Sequence, residues 1–206
     1  VYGPFASLAP LLRRADPARA DVWGMTEGRN HGPHLQSYWL LFHRAALRDP
    51  AFARFWQRLP YIDDKFAVVE AGELSLSRCL RASGLRLQAL FPYDEAMTSF
   101  RCTADPTDAT TAGMLRALDR GRPMNPTHHF WRVLVSELGC PFIKRELLTL
   151  NPARLSDIAD WAKVIETRFG EHPASASDHL QHLVQQQPTA GVAHLMRYLR
   201  GIMSAP

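Results

Sequence analysis

HLQSYWLLFHR, residues 34–44, opens on the hydrogen-bonding side chains His34, Gln36 and Ser37 and then runs into a near-continuous apolar tract. From Leu35 to Phe42 the apolar residues fall on both faces of an extended chain, as in a strand covered by helices on each side. This is the best strand candidate in the chain, expected to be central in its sheet. The three polar residues then stand at the loop-to-strand junction. Upstream, ADVWGMTE (20–27) reads as a short strand ending in a glycine-containing turn, EGRNHGPH as loop, and ASLAPLLRRA (6–15) as a short amphipathic helix.

Downstream the signals alternate. In RDPAFARFWQRLP, Asp49 is placed to cap a helix whose first residue is Pro50, with Phe52, Phe55, Trp56 and Leu59 on one face. After a polar loop, FAVVEAG leads into a helix over ELSLSRCLRASG, where Leu74, Leu76, Cys79 and Leu80 share much of one face and Gly84 ends it. LRLQALF (85–91) is a second strand closed by Pro92. The order strand, helix, helix, strand predicts an α/β sheet flanked by helices. Beyond residue 100 the pattern turns helical. Asn125-Pro126 and Asn151-Pro152 each read as a cap followed by the first helical residue, and Ser156 as the cap of a helix carrying Ile158, Trp161, Ala162 and Ile165. GVAHLMRYLRGIM (191–203) reads as a final helix, and the stretch before it as a linker or surface helix.

Composition narrows the class. With 46% hydrophobic and 21% charged residues in 206, the chain has the make-up of a globular protein with a real core. A net charge of +4, spread along the chain, is no nucleic-acid footprint, and no nucleic-acid partner is expected. Three cysteines without CxxC spacing suggest neither a disulfide framework nor a zinc ribbon, so a reducing cytoplasmic setting is expected. No apolar run approaches the ~20 residues that span a bilayer, and any membrane association is expected to be peripheral, at the inner face. The chain begins at Val1, in the turn-like VYGPF, and reads as a piece of something longer.

DVWGMTEG, HLQSYWLLF, AFARFWQRL and ELSLSRCLRASG follow one another in an order and spacing that resemble the rhamnan synthesis protein F family of bacterial polysaccharide glycosyltransferases. NPTHHFWRVLVSELGCPFIKRELLTLNP continues the likeness, which covers roughly residues 1–165. HLQSY before an apolar strand and PFIKRELL…NP are its most specific pieces. The resemblance implies a GT-A-like nucleotide-sugar transferase sheet. Residues 1–100 would be its C-terminal, acceptor-side and catalytic part, 101–170 a helical extension packed on it, and 171–206 a helical tail. It also implies nucleotide-binding strands and an acidic metal-binding motif ahead of the VYGPF segment. A divalent cation, Mg or Mn, would then be held mostly by residues outside this chain. The implied donor is of the dTDP-rhamnose type, and the acceptor a saccharide or lipid-linked saccharide of the cell envelope.

The same resemblance puts Glu73 in the position of an acidic residue at a helix start that serves as catalytic base in inverting transferases. A carboxylate within ~3 Å of the acceptor hydroxyl can take its proton. Read without the family, Glu73 is a first-turn acid favoured by the helix dipole. Glu70 is the fallback base, and otherwise a solvated acid. His34, Gln36 and Ser37 have donors and acceptors suited to sugar hydroxyls, or else they satisfy backbone groups at the strand junction. Trp23 and Gly24 lie near the cleft by resemblance, though core packing is the commoner fate of a tryptophan.

His128 and His129, at a helix start, and Lys144 and Arg145 can contact a diphosphate or else serve surface and packing roles. Adjacent helical residues point about 100° apart, which argues against one metal held by both histidines. His179 and His182 lack a partner cluster and read as surface. The Asp63-Asp64 pair reads as solvated. A catalytically inactive, glycosyltransferase-like binding or scaffold module and a histidine-based metal hydrolase stay open beside the transferase.

Overall fold

A short helix, α1 (Ala9–Arg14), leads into β1 (Val22–Gly28), the strand on which the sheet is built. The computed structural model describes residues 1–170 and 173–186. β1 pairs antiparallel with β2 (His34–Leu35) at its C-terminal end, through Glu27↔Leu35 and Gly28↔His34. Its first half pairs antiparallel with β3 (Leu40–Phe42), Val22 opposite Phe42. After helices α2 (Arg44–Arg48), α3 (Pro50–Arg58), α4 (Lys65–Val68) and α5 (Ser75–Ala82), β4 (Leu87–Phe91) returns parallel to β1.

The strand expected as one piece over 35–42 is therefore interrupted, and the central place belongs to β1. Only Met25 and Thr26 of β1 stand opposite residues 36–39, with Gln36 N–H donating to Thr26 O and Met25 N–H to Trp39 O. Two residues cannot match four in a ladder, so the chain turns outward and carries Ser37 with it. β1, in contrast, is buried along nearly its whole length. Trp23 and Met25 enter a core with Phe91, Tyr93, Phe130 and Trp131, while Val22 joins Leu35, Leu76, Leu80 and Ala89. Period-two alternation thus gives β1 an apolar layer on each side. Each fully buried large side chain contributes about 1.5–3 kcal/mol.

Several caps act as the sequence predicts. Asp49 accepts from Ala51 N–H at 2.7 Å and starts α3, and Gly84, at φ +89°, follows the end of α5. Asp64, expected as a solvated acid, instead accepts from Ala67 N–H at 2.8 Å and starts a helical run eight residues before ELSLSRCLRASG. Between α4 and α5 that run widens into a π-helical turn, Val69–Leu74. Glu73 consequently lies inside a long helix and not in the first turn of one, and the helix-dipole account of it falls away.

Past β4 come α6 (Tyr93–Thr103), α7 (Ala109–Asp119), α8 (Pro126–His129) and α9 (Trp131–Ser136), then α10 (Arg145–Thr149), a 3-10 turn Ser156–Asp160, α11 (Trp161–Phe169) and α12 (Ala174–Gln186). Asn125 caps α8 as expected, accepting from Thr127 N–H at 3.1 Å. Asn151 starts no helix. It has φ +40°, and its amide braces the following loop by accepting from Leu155 N–H and donating to Leu155 O. Ser156 makes no side-chain cap; the 3-10 turn stands where that helix was expected to begin. The helix expected over 191–203 lies outside the described residues. The three cysteines are unpaired. No helix among the described residues is long and apolar enough to cross a membrane.

Candidate functional site

The π-helical turn aims Glu73 at the chain between β2 and β3. Oε2 accepts from the Ser37 backbone N–H at 2.7 Å and from the Ser37 hydroxyl at 2.8 Å, and Oε1 lies 3.4 Å from His34 Nε2. His34 Nδ1 is 2.9 Å from Gly32 O. A carbonyl only accepts, so Nδ1 carries its proton, and the ring donates to both neighbours only when Nε2 is protonated too. Glycine makes this arrangement possible. A Cβ on Gly28 would stand 2.5 Å from Cε1 and Nε2 of the His34 ring, and one on Gly24 would stand 3.0 Å from the Leu35 side chain. Burial pulls the Glu73 pKa upward, but the hydrogen bond from His34 and the two from Ser37 outweigh it, and the carboxyl is held below its ordinary value.

A second layer of charge surrounds this group. The Lys144 ammonium makes no hydrogen bond to the described residues, yet it lies in the fields of Glu73 and Glu146; burial lowers its pKa while both carboxylates pull it back. Glu146 is ion-paired with Lys65 and stands 3.6 Å from His128 Nε2. Burial raises the Glu146 pKa, and the Lys65 ammonium, His128 and Lys144 more than reverse that. His128 is buried, and its pKa is pushed down to about 3 by that burial and by Lys144, against a smaller pull from Glu146. It is therefore neutral near pH 7. The site thus brings Glu73, Glu146, Lys65 and Lys144 together, and their charges of opposite sign stabilise each other.

The other candidates are placed elsewhere. Gln36 is buried: its Oε1 lies 2.7 Å from Thr26 Oγ1, and its amide N–H donates to Asn125 Oδ1 at 3.2 Å and Thr127 Oγ1 at 3.5 Å. Trp23 is core, donating its indole N–H to Asp16 O, and Gly24 lies under Leu35; neither joins the group around Glu73. His129 turns away from its neighbour, with Nδ1 3.1 Å from Asn125 O. Arg145 is exposed beside Val1. Glu70 pairs with Arg78 at the surface, and His179 and His182 are exposed. Among the described residues no three His, Cys, Asp or Glu side chains converge on a common point. Sequence reasoning missed Glu146 and Lys65. The first was findable, since it follows Lys144-Arg145 in PFIKRELL, but nothing local marks Lys65.

The family described as rhamnan synthesis protein F matches residues 1–160. The virulence protein VirA of Vibrio anguillarum is 32% identical over 140 residues, which cover 65% of this chain and 45% of that protein. The uncharacterized protein y4gN of Sinorhizobium fredii is 25% identical over 107 residues, covering 49% of this chain and 27% of its own. The chain thus spans less than half the length of these curated relatives. No solved structure matches it.

Proposed function

The chain belongs to the rhamnan synthesis protein F family, and from that premise we propose that it is the acceptor-side, catalytic part of a GT-A-like, inverting glycosyltransferase. The reaction is transfer of a sugar, rhamnose by the family's name, from a nucleotide-diphosphate donor to a growing cell-surface polysaccharide. The observation that carries this reading is the convergence of Ser37 and His34 on Glu73, with Lys144 held close by.

Glu73 is ionised at neutral pH, as a base must be before it accepts a proton. In a single displacement the acceptor hydroxyl attacks the anomeric carbon, its proton passes to Glu73, and the bond to the diphosphate breaks through an oxocarbenium-like transition state with inversion. Lys144 is the residue of this chain best placed to meet the negative charge that leaves, as a point charge without a competing hydrogen bond. By resemblance a divalent cation, held mostly by residues outside this chain, would neutralise the departing diphosphate. Peripheral contact with the inner face of a membrane is supported by Trp56, Tyr61 and Phe66, all exposed along α3 and the segment into α4.

One observation favours the second reading, an inactive binding or scaffold module. Two donors from Ser37 already occupy Glu73 Oε2, His34 stands against Oε1, and the side chain is only 17% exposed, so few lone pairs remain for a substrate. Glu73→Gln in the full-length protein separates the two. The transferase reading expects turnover per folded molecule to fall by about 10²–10⁴ with donor binding retained. Near-normal turnover sinks the assignment of Glu73.

A further inference from the structure

A cleft of about 340 Å³, whose lining does not include Glu73, opens between the α6–α7 connection, α9 and the 3-10 turn. That volume is in the range of small-ligand sites. Its floor is apolar, with Phe100, Met114 and Phe130, and its rim carries the hydroxyls of Thr110, Thr111 and Ser156. The Thr111 side chain meets the Asp108 carboxylate, while the Thr110 and Ser156 hydroxyls make no hydrogen bond to the described residues. His129 lines the same wall. Its Nδ1–H points to Asn125 O, which leaves Nε2 as an acceptor, and burial lowers its pKa so that the ring is neutral near pH 7.

Charge and hydrogen-bonding capacity select the ligand. Asp105, Asp108 and Asp157 line the cleft, against the one cation in its lining, Arg132. Arg132 is already spent on Asp157, at 2.8 Å, and on Asp160. A phosphate or other anion therefore finds carboxylates without a free counter-charge. A polyamine could use the carboxylates, but it would leave the hydroxyls and the His129 acceptor without purpose. Groups that both give and take hydrogen bonds around an apolar floor match a neutral polyol with a C–H face. We infer that this cleft is a saccharide subsite, remote from Glu73, that holds the growing polysaccharide chain while its end is extended. This deepens the transferase reading and rests on it for the identity of the sugar.

The test is an NMR titration of the chain with methyl rhamnoside, with spermidine and inorganic phosphate as parallel probes. The subsite expects shifts at the Thr110, Thr111 and Ser156 amides and none at Ser37. It also expects about ten-fold weaker binding in the double variant Thr110→Val, Ser156→Ala with an unchanged melting temperature. Shifts confined to Ser37, no shifts at all, or shifts in the cleft from spermidine or phosphate but not from the rhamnoside overturn it. A full-length protein that transfers no sugar, although the rhamnoside binds in the cleft, removes the catalytic reading and leaves the subsite standing.

Discussion

Gln36 and Ser37 are neighbours in the chain, yet they join polar groups of opposite kinds. Gln36 is tied to Thr26, Asn125 and Thr127, all neutral and mostly buried, and its group spans the gap between β1 and the start of α8. Ser37 is exposed and joins a carboxylate that faces an imidazole and a half-buried ammonium. In the first group the hydrogen bonds are closed among protein atoms, so its worth lies in specifying how two layers meet. The second keeps charge unspent in a protected place, which is what chemistry on a polar substrate needs. One turn of chain therefore serves stability with one residue and a candidate reaction with the next.

The comparison breaks if the two groups cannot be disabled separately. Gln36→Leu strips partners from Thr26, Asn125 and Thr127 and should cost about 2 kcal/mol in chemical denaturation, while turnover per folded molecule stays close to that of the parent. Gly28→Ala is the converse. Its Cβ drives the His34 ring off Glu73, and the expected cost is about 1 kcal/mol because the ring can swing aside. Transfer by the full-length protein should nevertheless fall. Normal transfer from this variant would show that the His34–Glu73 contact is dispensable to the reaction.

The smallest effect at neutral pH appears only on acidification. His128, with a folded pKa of about 3 against 6.5 for a free histidine, takes up its proton in the unfolded chain first, so stability falls as pH drops from 6.5 towards 3. Glu73, held below its ordinary 4.5, contributes stability that is present above that value and is lost as pH falls through its folded pKa. Melting curves across pH should therefore flatten in the upper window for His128→Gln and only in the lower one for Glu73→Gln. Identical profiles would mean that these two groups titrate as one.

What was legible in the sequence followed from short-range signals. Asp49 before Pro50, Asn125 before Pro126, Gly84 and the alternating apolar residues of LRLQALF all act within a few residues, and they give the elements they predict. The break in 34–42 was not legible, because the partners of Gln36 and Ser37 come from residues 125–127 and from Glu73, and no local pattern announces them. Asp64 was passed over as a cap because the π-helical turn behind it disrupts the 3.6-residue period by which a helix is recognised. Within the candidate site, residue types were readable and pairings were not. His128 and His129 are adjacent in sequence, yet one stands against Glu146 and the other lines the cleft beside α7.

That wide turn has a consequence for how the site can change. A π-helical turn is a helix carrying one residue more than its hydrogen bonding requires, so the direction of the Glu73 side chain is written as a length as much as an identity. Substitutions along 69–74 leave the count intact and with it the aim of the carboxylate. The loss of a single residue there would heal the helix into a regular one and swing Glu73 about 100° from Ser37, with every hydrophobic contact of α5 otherwise available. One deletion that the fold would scarcely register would thus disarm the proposed base.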